Sequence, residues 1–258
     1  MPHSFKNTRV LITGASKGLG KAAAVAFEQE GARLALVARS GGKLEELKHS
    51  FVTPDDHLVF ALDLLDSDNV NTVSKTLLTK WDGVDVALHC MGGSLGVNDA
   101  LVEWTDFVKC FKGNIGIASE LNGHLVPRMK AQGHGNIIHI GSIVSSEARA
   151  SVPYNTVKAA LAGYVRSLGQ HLAEYGVIVS GILPGAFYGD DNAMFRYEYY
   201  KREEYQKFVE TLPEGRMPKA GEYVPMLFLL SNPESKIMSG SLIAMDGAQG
   251  QAYYCYSG

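Results

Sequence analysis

The chain has 258 residues, of which 46% are hydrophobic, and 24 basic against 27 acidic residues leave a net charge of −3. This composition excludes a disordered or fibrous chain, and the absence of a basic block argues against a dedicated nucleic-acid binder. The polar start, the lack of an apolar run of about 18 residues and three dispersed cysteines predict a cytoplasmic protein without a membrane span, cleaved signal peptide or disulfide framework.

Short apolar runs alternate with longer amphipathic stretches along the chain. The short runs predict seven strands, at Arg9–Thr13, Arg33–Ala38, His57–Leu62, Val84–His89, Asn136–Ile140, Val177–Leu183 and Leu242–Met245. The amphipathic stretches predict helices at about Lys17–Glu30, Lys43–Ser50, Asp66–Trp81, Val102–Lys130 and Val152–Tyr175. This alternation predicts an α/β fold: a single doubly wound, Rossmann-type domain over residues 1–258, with a parallel seven-stranded sheet and helices on both faces.

One segment interrupts this rhythm between the sixth strand and the last helix-strand pair. Phe187–Phe208 contains eight aromatic residues. We interpret it as part of an insertion, at about residues 186–216, that packs over the substrate as a lid. A subunit interface is an equally good interpretation of these aromatics.

The first strand is followed by a glycine-rich loop, Thr13–Gly20, that opens a helix. Gly14 allows a tight turn, and Gly18 and Gly20 remove side chains where a pyrophosphate would approach the backbone. The helix N-terminus offers free N–H groups and partial positive charge to the phosphates. A plain strand-to-helix turn also uses glycines, but the flanking strand and helix favour a dinucleotide site.

The end of the second strand bears on cofactor choice. A carboxylate there would bind a ribose 2′-hydroxyl, whereas the sequence has Ala38 followed by Arg39, with Lys17 in the glycine loop. Two cations and no carboxylate favour NADP over NAD. The alternative is that Arg39 is an ordinary solvated residue.

Tyr154 and Lys158 are four residues apart in a predicted helix and therefore share a face. An ammonium beside a phenol is expected to lower the phenol pKa, which yields a general acid/base near neutral pH. Tyr197 and Lys201 have the same spacing, but they lie in the charged aromatic insertion, where a surface pair is the better interpretation.

Two further polar residues suit the Tyr154 pair. Ser142 follows the fifth strand, at the sheet edge where parallel α/β folds bind ligands, although a turn or cap role is equally consistent. Asn114 lies within the long helix before that strand, where a surface position is the simpler interpretation of the residue alone.

Together these motifs resemble the short-chain dehydrogenase/reductase family, in its shorter single-domain branch, over about Arg9–Asp246. The matching motifs are the Thr-Gly-x-x-x-Gly-x-Gly loop at Thr13–Gly20, the Asn-Ser-Tyr-Lys tetrad at Asn114, Ser142, Tyr154 and Lys158, Pro184-Gly185 after the sixth strand, and Asp246-Gly247 after the last.

The resemblance implies an oxidoreductase in which a nicotinamide cofactor exchanges hydride with a ketone or secondary alcohol. Tyr154 would exchange a proton with the substrate oxygen, Ser142 would bind that oxygen, and Lys158 would lower the Tyr154 pKa and hold the nicotinamide ribose. Asn114 would support a water that links Lys158 to solvent. The implied cofactor-binding residues are Gly14, Ser16, Lys17, Gly18, Leu19, Gly20, Arg39, Asp63, Leu64, Gly92, Asn114, Tyr154, Lys158, Pro184 and Gly185.

The chain departs from the family at two places. The Asn-Asn-Ala-Gly expected after the fourth strand is His89-Cys90-Met91-Gly92, and the threonine expected four residues after Pro184 is Tyr188. No other histidine has zinc-like spacing with the His89-Cys90 pair, so we expect interior packing and no metal.

The resemblance also implies a homodimer or homotetramer through helices around 102–130 and 152–175, with a small-molecule substrate as the other partner.

The leading hypothesis is therefore an NADP-dependent oxidoreductase. The alternative is an NADP-binding regulatory or scaffold protein of the same fold without turnover, which the two departures motivate. A lyase or epimerase that uses the nucleotide transiently is a third and weaker hypothesis, because such enzymes usually carry a substrate domain.

Overall fold

The computed structural model describes residues 4–251, and no helix in that range is long and apolar enough to cross a membrane. Seven strands form one sheet in the order β3-β2-β1-β4-β5-β6-β7, with every neighbouring pair parallel. The strands are β1 (Arg9–Thr13), β2 (Arg33–Ala38), β3 (Leu58–Ala61), β4 (Val86–His89), β5 (Gly135–Ile140), β6 (Val177–Pro184) and β7 (Leu242–Met245). The strand order reverses between β1 and β4, which leaves a crevice at their carboxyl ends.

Helices cover both faces of this sheet, which confirms the predicted fold class. They are α1 (Gly18–Gln29), α2 (Gly41–His49), α3 (Ser67–Trp81), α4 (Trp104–Phe111), α5 (Ile117–Gln132), α6 (Val152–Leu172), α7 (Ala193–Tyr200), α8 (Arg202–Glu210) and α9 (Val224–Ser231). Leu11 of β1 packs with α3, α5 and α6, whereas its neighbours Val10 and Ile12 pack with α1, α2 and α9. Successive strand residues point to opposite faces, so one short apolar run supports two cores.

The predicted helix at 102–130 is wrong in one respect, because it is not continuous. A π-helical turn, Lys112–Gly116, separates α4 from α5. Asn114 sits in this turn, and its side-chain amide donates to the backbone oxygen of Cys110 at 2.8 Å. Gly113 in the same turn packs against Leu95, leaving no room for a side chain. Single π turns inside α-helices are often found at functional sites, and this one turns Asn114 inward.

The 186–216 segment contains α7 and α8 and has a small core of its own. Tyr205 and Leu212, together with Met217 just beyond the segment, are the buried residues of this core, and Tyr188, Tyr197 and Phe208 are among the residues that pack against them. Backbone hydrogen bonds of Tyr188 to Pro218 and Ala220, at 2.7 and 2.8 Å, close the segment at its base. Several aromatics of the insertion are thus used to stabilise the segment itself.

Candidate active site

A cavity of about 1680 Å³ opens where the strand order reverses, at the carboxyl ends of the strands. The glycine loop lines one side, Ser142, Tyr154 and Lys158 line another, and Met194 of α7 contributes from the 186–216 segment. Fourteen residues named from the sequence line it: Gly14, Ser16, Lys17, Gly18, Leu19, Gly20, Arg39, Leu64, Gly92, Ser142, Tyr154, Lys158, Pro184 and Gly185. The other two, Asp63 and Asn114, lie outside the lining.

Tyr154 is the third residue of α6 and hydrogen-bonds through its phenol to Ser142. The Lys158 ammonium lies 5.6 Å from the centroid of the Tyr154 ring. Burial raises the pKa of Tyr154 to about 12, and the hydrogen bond to Ser142 opposes that rise. The expected lowering of the phenol pKa is therefore wrong for this structure: burial disfavours the phenolate more than its neighbours favour it.

Lys158 is the most unusual cation of the site, because its side chain is buried with only 4% of its surface exposed. Its ammonium donates to the backbone oxygen of Ile140 at 2.8 Å. Burial lowers the Lys158 pKa to about 8. At neutral pH the group stays protonated, yet it releases a proton far more readily than a solvated lysine.

Asn114 acts on the loop after β4 and does not reach the cavity. Its Oδ1 accepts from the Gly93 N–H at 3.1 Å, while its Nδ2 donates to the Gly93 oxygen at 2.8 Å. A Cβ at Gly92 would lie 2.8 Å from Asn114 Oδ1 and 3.5 Å from Lys158 Nζ. Asn114 therefore holds the Gly92-Gly93 backbone beside Lys158, and this loop conformation requires glycine at residue 92.

The His89-Cys90 departure forms an interior cluster. His89 Nε2 donates to Asn122 Oδ1 at 2.9 Å, and the His89 ring stacks on His139 with centroids 4.9 Å apart. Burial lowers the His89 pKa to about 4 and raises that of the Cys90 thiol to about 12, so both groups are neutral at physiological pH. No group of three or more possible His, Cys, Asp or Glu metal ligands is found within residues 4–251.

The glycine loop has the shape that a phosphate ligand requires. Gly14 has a φ of +71°, and a Cβ on Gly20 would collide with the Gly14 oxygen. The Gly18 N–H, predicted to be free, instead donates to the backbone oxygen of Asp190 at 2.9 Å. The amides of Leu19 and Gly20 donate to no acceptor among the described residues and remain available to an anion.

Cations gather at the same end of the cavity. Lys17 and Arg39 were expected there, and the structure adds Lys43 of α2 and Arg196 of α7. Arg39 Nη1 lies 4.0 Å from Asp63 Oδ2, so Asp63 contacts the predicted cofactor residue and not the cavity itself. The two free backbone amides, the glycine-rich loop and the clustered cations together fit a phosphorylated dinucleotide.

Lys43 could have been found from the sequence, since it opens the helix after Arg39. Two other residues carried no such signal. Gln249 Nε2 and Oε1 bond the backbone oxygen and N–H of Ala186 at 3.0 and 2.8 Å, and Arg149 Nη1 donates to the Gln249 oxygen at 2.6 Å. These contacts join residues 63 to 100 positions apart, and all three residues line the cavity.

Tyr188, the second departure, lies outside the cavity lining and belongs to the core of the 186–216 segment. The neighbouring Phe187 does line the cavity and packs on Tyr223 with ring centroids 5.0 Å apart. The position where the family places a threonine is thus structural in this chain.

Comparison with known proteins matches this architecture to one family. A family model described as short chain dehydrogenase matches residues 8–198. An uncharacterized oxidoreductase of Thermotoga maritima is 30% identical over 250 residues, covering 95% of this chain and 98% of the relative. The 3-oxoacyl-[acyl-carrier-protein] reductase FabG of Aquifex aeolicus is 24% identical, covering 92% and 95%.

A solved structure is similar over nearly the whole fold. L-sorbose reductase from Gluconobacter frateurii, complexed with NADPH and L-sorbose, has a TM-score of 0.86 and 25% identity, covering 96% of this chain and 98% of that one. With the family match across most of the sequence, the chain belongs to the short-chain dehydrogenase family of oxidoreductases.

Proposed function

We propose that the protein is an NADP-dependent oxidoreductase that transfers hydride between the nicotinamide and a ketone or secondary alcohol, with Tyr154 as general acid/base. The observation that carries this proposal is one cavity that joins the Ser142-Tyr154-Lys158 group to a glycine loop and a cation cluster. The NADPH complex of L-sorbose reductase supports the same cofactor.

The residues present divide the cofactor between them. The free amides of Leu19 and Gly20 would hold the pyrophosphate, while Lys17 and Arg39 would pair with the 2′-phosphate. Gly92, with the Pro184-Gly185 pair, would leave room for the nicotinamide end. When bound, the cofactor supplies or accepts the hydride.

The protein groups manage the proton. The Ser142 hydroxyl orients the substrate oxygen toward Tyr154, whose raised pKa keeps the phenol protonated at neutral pH because the ring is buried. A protonated phenol suits donation to a carbonyl oxygen, and in the reverse direction the phenolate suits proton abstraction from an alcohol. The buried Lys158 ammonium stabilises the resulting phenolate and can return a proton to it, since burial has lowered its own pKa.

Residues 186–216 form the substrate lid in this proposal. Met194, Phe208 and Leu212 of the segment line the cavity, so closure would exclude water from the reacting carbonyl. The candidate substrates are a sugar, a polyketide-like ring and a steroid-sized ketone, which the aromatic side chains of the segment could contact.

The deciding experiment measures NADPH oxidation with sugar ketones, cyclic ketones, aliphatic ketones and 3-oxoacyl thioesters. Tyr154→Phe is the matched variant, because it removes only the proton donor. We expect turnover with at least one carbonyl and retention of NADPH binding by Tyr154→Phe with turnover lost. Unchanged turnover by the variant would show the mechanism to be wrong. NADPH binding without turnover on any carbonyl would favour the regulatory or scaffold alternative.

We also propose a homodimer or homotetramer. Trp104, Val108 and Phe111 of α4 expose 74%, 40% and 43% of their surface, and they lie in the stretch where the family associates. Analytical ultracentrifugation tests this directly, and Trp104→Glu should shift the protein toward monomer.

A further inference from the structure

A short strap from the 186–216 segment, residues 189–192, lies directly on the glycine loop. The Gly18 N–H donates to the Asp190 oxygen at 2.9 Å, and the Asp190 carboxylate accepts from Lys21 Nζ at 2.6 Å. The two backbones are so close that a Cβ on Gly189 would lie 3.0 Å from Gly18 Cα. The strap therefore joins the substrate side of the cavity to its cofactor side.

Asp191 is the member of the strap that faces the cation cluster. Its Oδ2 lies 2.9 Å from Lys43 Nζ and 3.8 Å from Lys17 Nζ. Arg196 Nη1 donates to the Asp191 backbone oxygen at 2.6 Å, which holds the residue in place. The lysines hold the Asp191 pKa below its usual range, with Lys43 as the main cause, so the carboxylate is ionised.

The charges at this end do not balance. Lys17, Arg39, Lys43 and Arg196 line the cavity there. Asp191 is the single acidic residue among the described residues of its lining, and Asp63, outside the lining, lies 4.0 Å from Arg39. Burial lowers the Lys17 pKa. The neighbouring cations lower it further, whereas Asp191 raises it. Excess positive charge favours a further anion, yet Lys17 and Lys43 already have a carboxylate partner.

We propose that Asp191 is a specificity-determining residue. Its carboxylate pairs with Lys17 and Lys43, the two lysines that would otherwise pair with the cofactor 2′-phosphate. This rests on the proposed use of NADP. A phosphate carries more negative charge and more acceptor oxygens than a carboxylate, so it displaces Asp191 and releases the strap. Linkage is reciprocal: if phosphate binding loosens the strap, the fastened strap weakens phosphate binding by the same factor.

The test compares two probes that lack the nicotinamide, 2′,5′-ADP and 5′-ADP, by calorimetry on the full chain. Asp191→Asn removes the charge and keeps the shape, and asparagine tolerates the φ of +53° observed there. We expect Asp191→Asn to bind 2′,5′-ADP about tenfold more tightly, as expected for one charge-assisted contact, with 5′-ADP changed less than about twofold.

Two variants control for simpler effects. Asp190→Asn removes the neighbouring charge, which pairs with Lys21 and not with the cavity cations, and it leaves the Asp191–Lys43 pair and the backbone bond from Gly18 in place. Glu204→Gln removes the same charge from an exposed ion pair with Lys201 on α8. Both should leave the 2′,5′-ADP affinity unchanged, and a gain equal to that of Asp191→Asn in either would overturn the proposal.

Hydrogen exchange supplies a second measurement. In the unmodified protein, 2′,5′-ADP should increase exchange across the strap and α7, and 5′-ADP should not. If the unmodified protein prefers 2′,5′-ADP but Asp191→Asn gains nothing, the role of Asp191 is wrong while NADP use stands. If neither protein distinguishes the probes, the proposed use of NADP fails as well.

Discussion

The two ends of the cavity use charge in different ways. At the end of the cavity that contains Tyr154 and Lys158, the Lys158 side chain is 4% exposed, and burial lowers its pKa to about 8. At the end where the cations gather, Arg39 is 72% exposed and Lys43 52%, so both charges are solvated. A buried group can act alone because its surroundings have a low dielectric, whereas solvated charges are effective only as a cluster. Substitutions at each end, and changes of pH and salt, can break this contrast.

Lys158→Met should reduce carbonyl reduction about a thousandfold, because the phenolate loses its buried counter-charge. The substitution should also stabilise the fold at neutral pH. The folded pKa of about 8 lies below the ordinary lysine value of 10.5, so charged Lys158 costs about 3 kcal/mol of folding free energy below pH 8. Loss of the bond to the Ile140 oxygen offsets about 1 kcal/mol of the gain.

The sign of this effect has a pH signature. As pH rises from about 8 to the unfolded value of 10.5, the native state releases the Lys158 proton first, and the unmodified protein gains stability. The advantage of Lys158→Met should therefore shrink across that window. Urea denaturation at several pH values measures it, with Lys201→Met, an exposed lysine of an ion pair, as the control. An advantage that is constant with pH would contradict the buried-charge account.

Ser142→Ala should lower kcat about a hundredfold while NADPH affinity stays within about twofold. The variant loses the hydrogen bond that opposes the rise in the Tyr154 pKa. The alkaline limb of the pH–rate profile, where it reports Tyr154, should therefore move to higher pH. Ser146→Ala, one turn further along, is the control, since among the described residues its hydroxyl bonds the Ile143 oxygen alone, at 3.5 Å. Equal losses in the two variants would point to a structural effect.

Arg39→Asp should change the ratio of kcat/KM for NADP and NAD about thirtyfold in favour of NAD, because a carboxylate binds a ribose hydroxyl and repels a phosphate. Arg202→Asp makes the same charge change at an exposed position on α8. Steady-state kinetics with both cofactors measures the ratio. Equal use of both by the unmodified protein would contradict the role assigned to Arg39.

The smallest expected effect is that of salt. Raising ionic strength from about 0.05 M to about 0.5 M should raise the KM for NADPH several-fold. The cations that line this end of the cavity are solvated, so salt screens their attraction for the cofactor phosphates. The kcat should change less than about twofold because the catalytic end is buried. A larger effect on kcat than on KM would reverse the contrast between the two ends.

Much of this protein follows from local sequence patterns. Short apolar runs and their spacing indicate the strands, and the glycine loop with the Tyr154-Lys158 spacing indicates two parts of the candidate site. These signals are short-range, because each depends on residues within one turn or one strand. The sequence did not predict the π turn at Asn114, because an asparagine between Gly113 and Ile115 is also consistent with an ordinary helix surface.

The tertiary structure decided which groups are buried and which charges meet. The Lys158 ammonium would by itself favour the phenolate, but the folded chain buries Tyr154, and that burial raises its pKa. Asp191 meets Lys43 across 148 positions, and no local pattern encodes that contact. The sequence by itself determined the fold, the family resemblance and most of the cavity lining. Packing decided protonation and the contacts between distant charges, because both depend on neighbours that only the folded chain brings together.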